Sequence, residues 1–182
     1  GVIGTVNYRH GDREVPASRT TPESLDLQRI LADMRQHGVT HVVMEVASHG
    51  LDLHRVEACW FDVAAFTNLT QDHLDFHGDM DRYWASKKSL FTRLLPLGPK
   101  AQRALAVINR GDLHGQRLSE ELAGDRPMVT FGQASDNDVW PDVKRSDLTG
   151  LEAVLHTPRG PLSMISPLVG QHNLENIHLY HY

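Results

Sequence analysis

Acidic and imidazole side chains are concentrated in one short loop of this sequence. Asp72, His73, Asp75, His77 and Asp79 lie within eight positions, directly after the strand-like run FDVAAF. Carboxylates and imidazoles packed this closely at the exit of a strand are typical of a metal site or a proton-transfer site. The 12 histidines of the chain point to the same two chemistries.

A further acidic residue ends the preceding apolar run. Glu45 stands near the carboxyl end of VTHVVMEV, an almost unbroken apolar run that predicts a parallel strand covered on both faces. Open α/β sheets bind their ligands at that edge. Glu45 is therefore a candidate ligand-binding residue, and the alternative is a strand-end acid satisfied by its neighbours.

A lysine lies inside the apolar stripe of the helix predicted after the acidic loop. The stripe is centred near Met80, Phe91 and Leu94, and Lys87 falls within it, whereas Lys88 lies at its edge. A lysine on a buried face needs a partner, loses its charge or is chemically modified. The alternative is a side chain that extends past its neighbours to water. Both interpretations stay open.

The surrounding elements alternate as in an α/β domain. Residues 1–8 predict a strand, GDRE predicts a hairpin turn, and Thr21 is predicted to cap a helix that ends at Gly38. A strand, a helix and a strand follow the acidic loop and its helix, and from about Gln133 the pattern indicates antiparallel strands. This order predicts an α/β fold with a mostly parallel sheet flanked by helices and a small antiparallel β unit toward the C-terminus.

Composition narrows the class of protein. The net charge of −5 and the pI of about 6.2 argue against a nucleic-acid partner. The single Cys59 fits a reducing compartment, and no apolar run approaches the ~18 residues of a membrane span. No Gly-rich phosphate-binding motif is present. The chain begins at Gly1 with a strand-like run already under way, which suggests a fragment.

Several motifs together resemble one family, the Mur ligases, and within it the MurE type. They are TTPE, EVASHGL, HRV, TNLTQDHLDFHGDM and the helix that carries Lys87, and the similarity runs from about Gly1 to Asn176. The resemblance implies that residues 1–182 are a partial central, ATP-binding domain with a Rossmann-like sheet. The phosphate-binding loop of the family is then expected before Gly1, and residues 1–182 are expected not to include the C-terminal ligase domain.

The resemblance also implies an activity. Such enzymes are cytoplasmic ligases of peptidoglycan synthesis that use ATP and Mg²⁺ and act on UDP-MurNAc-L-Ala-D-Glu. They phosphorylate its carboxylate, and a diamino acid, meso-diaminopimelate or L-lysine, then attacks the acyl phosphate. A monomer is expected for the full-length protein, with no nucleic-acid or membrane partner. The fragment alone is expected to be inactive.

Metal-binding and nucleotide-binding residues follow from the resemblance. Lys87 matches the carbamylated lysine of the family, whose new carboxylate helps to hold Mg²⁺. Glu45 and His73 match metal-site positions, and His73 is also assigned a catalytic role together with Lys87. Asn173 and Asn176 resemble the asparagines on the adenine side.

Substrate-binding residues are matched in the same way. Thr20, Thr21 and Arg55 match positions that contact the UDP-muramoyl substrate. Ala47 stands where many members have a substrate-binding serine, so the neighbouring Ser48 is expected to replace it only if the loop shifts. Without the resemblance, Thr20 and Thr21 would be interpreted as a helix cap.

Three other functions stay open. A different Mur-type ligase, such as a cyanophycin or folylpolyglutamate synthetase, would use the same domain. A metal-dependent hydrolase built on DHLDFHGD would bind zinc tightly and cleave esters or lactones. A non-catalytic remnant would fold without activity, and Ala47 together with the unusual end HLYHY fits that possibility.

Overall fold

The computed structural model describes residues 1–70 and 74–168. Two compact units make up the chain, the first with Gly1–Trp60 and Gln71–Leu94, the second with Phe61–Thr70 and Leu95–Tyr182. Parallel strands flanked by helices and a separate antiparallel sheet are both present, which confirms the predicted α/β class.

The first unit combines a small mixed sheet with four helices. Its strands pair in the order β3-β2-β1-β4, with β1 and β4 parallel and the other pairs antiparallel. The strands are β1 (Val2–Ile3), β2 (Asn7–His10), β3 (Arg13–Pro16) and β4 (Val43–Met44). The helices are α1 (Ser24–Gln36), α2 (Ser48–Asp52), α3 (Leu74–His77) and α4 (Met80–Ser89), and a π-helical segment, Leu90–Leu94, continues α4.

The first eight residues form two strands, so the prediction of one strand over residues 1–8 is wrong. The chain leaves β1 after Ile3 and turns back into β2, so that Ile3 pairs with both Met44 and Tyr8. The turn passes close to Glu45, since a Cβ on Gly4 would lie 3.3 Å from the Glu45 carboxylate. The predicted hairpin turn at GDRE is confirmed, with Gly11 at φ 51° between β2 and β3.

The strand β4 is shorter and more exposed than the sequence predicts. The strand spans only Val43–Met44, at the edge of the sheet, and Val43 is 72% exposed. The prediction of a strand covered on both faces is therefore wrong for the described residues. An apolar run alone does not distinguish a central strand from an edge strand.

The helix α1 begins two residues later than predicted. Glu23 occupies the N-cap position, and no side chain caps the helix through a hydrogen bond. Thr21, the predicted cap, bonds instead to the chain after β4. The end of the helix is confirmed, because Gly38 adopts the left-handed conformation at φ 78°.

The second unit contains the longer parallel strands. Strands β5 (Val63–Phe66), β6 (Leu105–Asn109) and β7 (Met128–Phe131) pair in that order, and α5 (Leu113–Glu121) connects β6 to β7. The predicted antiparallel unit is confirmed as β8 (Trp140–Asp147), β9 (Gly150–His156) and β10 (Leu162–Ser166). A short 3-10 turn, Ala101–Arg103, precedes β6.

Each sheet of the second unit has an apolar cluster of its own. On the parallel sheet the buried members are Val107, Val129, Phe131 and Val139. On the antiparallel sheet they are Leu151, Ala153, Leu155 and Met164. In residues 1–70 and 74–168, no helix is both long enough and apolar enough to cross a membrane.

Candidate substrate and metal site

Glu45 lies where the parallel strands β1 and β4 end. Its Oε2 atom accepts hydrogen bonds from the Thr5 hydroxyl at 2.6 Å and from the Thr5 backbone N–H at 3.2 Å. The Thr5 hydroxyl also lies 3.2 Å from the Thr20 hydroxyl. These side chains bring a carboxylate and two hydroxyl oxygens together at the carboxyl edge of the strands. Oxygen donors of this kind suit a hard cation such as Mg²⁺.

Thr5 is a member of this cluster that sequence reasoning missed. It follows β1 as Glu45 follows β4, and adjacent parallel strands end at the same edge of a sheet. The position of Thr5 after a strand that is parallel to β4 was the signal that could have identified it. The single strand predicted over residues 1–8 concealed it, because Thr5 was then interior to the strand.

Thr20 and Thr21 have separate roles in the structure. Thr21 is buried, and its hydroxyl donates to the Glu45 carbonyl and accepts from the Ala47 N–H, each at 2.9 Å. Gly50 packs against it so closely that a Cβ there would lie 2.8 Å from the Thr21 side chain. Thr21 therefore holds the chain after Glu45 in place, whereas Thr20 is partly exposed beside Thr5.

Replacing Thr21 with valine tests this assignment. The Thr21→Val variant is expected to lose about 1–3 kcal/mol of unfolding free energy, because the Glu45 carbonyl and the Ala47 N–H lose their partner. The matched Thr20→Val variant is expected to change it by less than about 0.5 kcal/mol. Urea unfolding measures both, and equal losses would contradict the assignment.

Arg55 is buried beside the start of α1. Its guanidinium donates to the Thr21 carbonyl at 3.1 Å and forms two contacts with the Glu23 carboxylate, at 2.8 and 3.2 Å. Two parallel contacts fix the plane of a guanidinium. Arg55 is 8% exposed, so the match to a substrate-binding arginine stays a prediction in which Glu23 has to share the guanidinium.

Ser48 faces the interior of the first unit. Its hydroxyl lies 2.8 Å from His77 Nε2, its carbonyl accepts from the Ser86 hydroxyl at 2.9 Å, and the residue is 1% exposed. His77 Nδ1 lies 3.2 Å from an Asp52 carboxylate oxygen. A nucleophilic hydrolase needs a histidine that an acid orients through a hydrogen bond. Among the described residues, His77 Nδ1 forms no hydrogen bond, and the Ser48 hydroxyl is too buried for a substrate to reach. The contacts of Ser48 instead connect α2 to α3 and α4.

Lys87 follows Ser86 directly on α4. Its side chain is partly buried, and Nζ lies 4.9 Å from the centroid of the Tyr83 ring. Asp79 caps α4 by accepting from the Arg82 N–H at 2.8 Å. Lys87 therefore lies in the last turn of a capped helix. The assignments of His73, Asn173 and Asn176 lie outside the described residues.

Two ionisable groups with shifted pKa values lie close to these elements. Hydrogen bonds from His54 and Arg93 lower the pKa of Glu57 from its ordinary value of 4.5. The contacts of its carboxylate therefore stabilise the fold fully above that pH, and this stabilisation is lost as the pH falls through the lowered pKa. Burial raises the pKa of the Cys59 thiol and keeps it neutral. A neutral thiol is a poor nucleophile and a poor metal ligand. Neither group is a candidate for catalysis.

The fold and the site together define an α/β domain whose oxygen donors gather at the carboxyl edge of its parallel strands, where such domains bind their ligands. Residues 1–179 match the profile of the Mur ligase middle domain. The chain belongs to the Mur ligase family.

Relatives at high identity carry one name. The chain is 45% identical over 176 residues to the UDP-N-acetylmuramoyl-L-alanyl-D-glutamate–2,6-diaminopimelate ligase of Geobacter metallireducens. It is 47% identical over 177 residues to the ligase of that name from Geobacter sulfurreducens. Each alignment covers 97% of this chain and 34% of the relative. The predicted resemblance to the MurE type is confirmed.

A solved structure agrees with these relatives. A UDP-N-acetylmuramoyl-L-alanyl-D-glutamate–2,6-diaminopimelate ligase superposes with a TM-score of 0.77 at 30% identity, over 97% of this chain and 35% of that one. The chain thus spans about a third of the length of the proteins that it matches.

Proposed function

We propose that this chain forms part of an ATP-dependent amide-bond ligase that adds 2,6-diaminopimelate to UDP-MurNAc-L-Ala-D-Glu. The observation that carries the proposal is the shared name of relatives that are 45% and 47% identical over 97% of the chain. The proposal includes a cytoplasmic location, a monomeric protein, and UDP-linked and amino-acid substrates.

The reaction proceeds in two balanced steps. A carboxylate oxygen of the D-glutamate residue attacks the γ-phosphorus of ATP, and ADP leaves. An amine of the diamino acid then attacks the acyl carbon, loses a proton and displaces inorganic phosphate. Both steps depend mainly on positioning and on neutralising phosphate charge. Mg²⁺ supplies that neutralisation when it is bound.

Residues of the first unit have the chemistry for holding the metal. The exposed Glu45 carboxylate and the Thr5 and Thr20 hydroxyls offer oxygen donors, and Mg²⁺ retains several waters of its own. When the neutral amine of Lys87 attacks CO₂, an N–C bond forms, a proton leaves to solvent, and the side chain becomes an anion. A carbamylated Lys87 together with Glu45 and His73 is the ligand set that we propose, and Lys87 and His73 are the proposed catalytic groups.

Substrate contacts complete the proposal. We propose that the UDP-muramoyl group contacts Thr20, Thr21 and Arg55. The Thr20 hydroxyl is partly exposed, Thr21 also positions the chain after Glu45, and Arg55 is paired with Glu23. Ser48 would reach the substrate only after leaving His77. Asn173 and Asn176 would contact the adenine of ATP.

The proposal is tested with the protein expressed from its complete gene. The purified protein is mixed with UDP-MurNAc-L-Ala-D-Glu, ATP and either meso-diaminopimelate or L-lysine, and the tripeptide product and phosphate are measured. We expect product with diaminopimelate and at least about tenfold less with L-lysine, since a site built for a polar group rejects an analogue without it. Absence of product with both would contradict the proposal. A protein that consists of residues 1–182 alone is expected to be inactive in the same assay.

A further inference from the structure

Three side chains able to bind a transition metal meet between the hairpin and α1. His10 lies on β2, whereas Asp33 lies in the last turn of α1 and His37 directly follows that helix. One potential ligand atom from each residue lies within 4.8 Å of the other two. The cluster belongs to the first unit and shares no residue with the site proposed for the ligase reaction.

The distances resemble those within a metal coordination shell. His10 Nε2 lies 3.0 Å from Asp33 Oδ2. The His37 ring lies beside the same carboxylate, with its Nδ1 3.4 Å from Oδ1. Bonds of about 2.0–2.2 Å in a tetrahedral arrangement separate neighbouring ligand atoms by about 3.3 Å. The His10–Asp33 pair is thus already close to the required separation. The side chain of His37 is 38% exposed and has room to move its Nε2 toward the ion.

One nitrogen of the His37 imidazole already contacts a backbone carbonyl. Its Nδ1 lies 2.8 Å from the Asp33 carbonyl oxygen, which only accepts, so Nδ1 carries the proton. The lone pair is then on Nε2. Metal-bound histidines usually donate their other N–H to a carbonyl or carboxylate in this way. The spacing of Asp33 and His37 also places them on one face of the helix.

Arg13 is the cation that competes for this position. Its guanidinium NH1 lies 3.4 Å from Asp33 Oδ1, and its side chain is mostly exposed. The other carboxylate oxygen, Oδ2, is the one nearest to His10. A metal ion on Oδ2 therefore leaves Oδ1 to Arg13, so that the two cations use different oxygens of Asp33.

The geometry points to a site for one borderline transition-metal ion, best Zn²⁺, with His10, Asp33 and His37 as its ligands. Two imidazoles and one carboxylate suit zinc, whereas Mg²⁺ prefers oxygen ligands and offers little affinity here. Three protein ligands leave the fourth position to water. The bound ion would link the β2–β3 hairpin to α1 and stabilise the first unit.

Cobalt and zinc binding test this site in the protein expressed from its complete gene, after treatment with a chelator. Co²⁺ serves as a visible probe, because tetrahedral cobalt absorbs much more strongly than cobalt in water, and Zn²⁺ is measured by its displacement of cobalt. The variants are His10→Gln and His37→Gln, since glutamine keeps a polar group near Asp33 but removes the imidazole. His41→Gln is the matched control at an exposed histidine of the same unit.

We expect a tetrahedral cobalt band in the wild-type protein and in His41→Gln, displaced by Zn²⁺ but not by millimolar Mg²⁺. Each ligand variant is expected to lose at least about tenfold in zinc affinity. Zinc is also expected to raise the melting temperature of the wild-type protein and not of the two variants. The site is overturned if no cobalt band appears, or if the band and the zinc affinity persist in both variants. The cluster is then an ion pair alone.

Discussion

Replacing Lys87 with alanine is expected to lower the ATP-dependent ligation rate of the full-length protein by about 10²- to 10³-fold, as the loss of one preorganised charge-stabilising group does elsewhere. The physical reason is that the proposed carbamate supplies an anion that holds the metal beside the phosphates. Alanine suits the interior of α4, so the helix itself is expected to survive the substitution. Initial rates of phosphate release measure the effect.

Lys88→Ala is the matched control, because it removes the same side chain from the adjacent position of α4. That variant is expected to keep its rate within a few-fold. Adding a small carboxylate such as acetate is expected to restore part of the Lys87→Ala activity by replacing the missing anion, and not to change the control. A Lys87→Ala enzyme at the wild-type rate, or equal losses in both variants, would contradict the role proposed for Lys87.

The sequence predicts best where one local rule acts alone. An aspartate directly before a helix is a typical cap, and the carboxylate of Asp79 caps α4 from that position. The run of β6, α5 and β7 was also predicted correctly, because buried strand residues and an amphipathic helix give different periodicities. The antiparallel strands after Gln133 were recognised from alternation and turn residues.

Predictions failed where a distant partner competes with a local rule. Thr21 has the right type and position for a helix cap, yet its hydroxyl bonds to atoms of Glu45 and Ala47, more than 20 residues away. Val43 lies in a run with the composition of a covered strand, but it is 72% exposed, because tertiary packing rather than local sequence alone decides the burial. Local propensity is a weak prior that such tertiary contacts override.

In the candidate site, too, single residues could be predicted from their own segment, whereas contacts between distant segments could not. Glu45 and Lys87 stood out because an acid at a strand end and a lysine in an apolar stripe are visible in a single segment. The contacts of Thr5 with Glu45 and of Ser48 with His77 join segments that are 40 and 29 residues apart. His10 likewise meets Asp33 only through the pairing of the hairpin with α1.

Replacing Gly115 with alanine is expected to destabilise the second unit by about 2–4 kcal/mol, at the upper end of the range for overpacking. Helix propensity alone predicts the opposite, a gain of about 1 kcal/mol. Gly115 lies in α5, where an added Cβ would be 1.9 Å from the Asn109 carbonyl oxygen and 3.2 Å from the Phe66 ring. The clash with backbone therefore decides the sign.

Asn109 has little freedom to move away from such a Cβ. It is buried at the end of β6, its side-chain amide donates to the Thr67 carbonyl at 2.7 Å, and its side-chain oxygen accepts from the Gly111 N–H at 2.8 Å. Relief therefore requires α5 to separate from β6. Arg117→Ala, at an exposed position of α5, is the control and is expected to be neutral within about 0.5 kcal/mol.

Chemical unfolding followed by fluorescence and by circular dichroism measures both variants. A Gly115→Ala protein as stable as the wild type would show that α5 shifts without cost, and the close approach of α5 to β6 would not be a constraint of the fold. A loss confined to Gly115→Ala would show that the glycine permits this approach. Such a glycine requirement at the junction of a strand and a helix depends on packing distance, which helix propensity does not include.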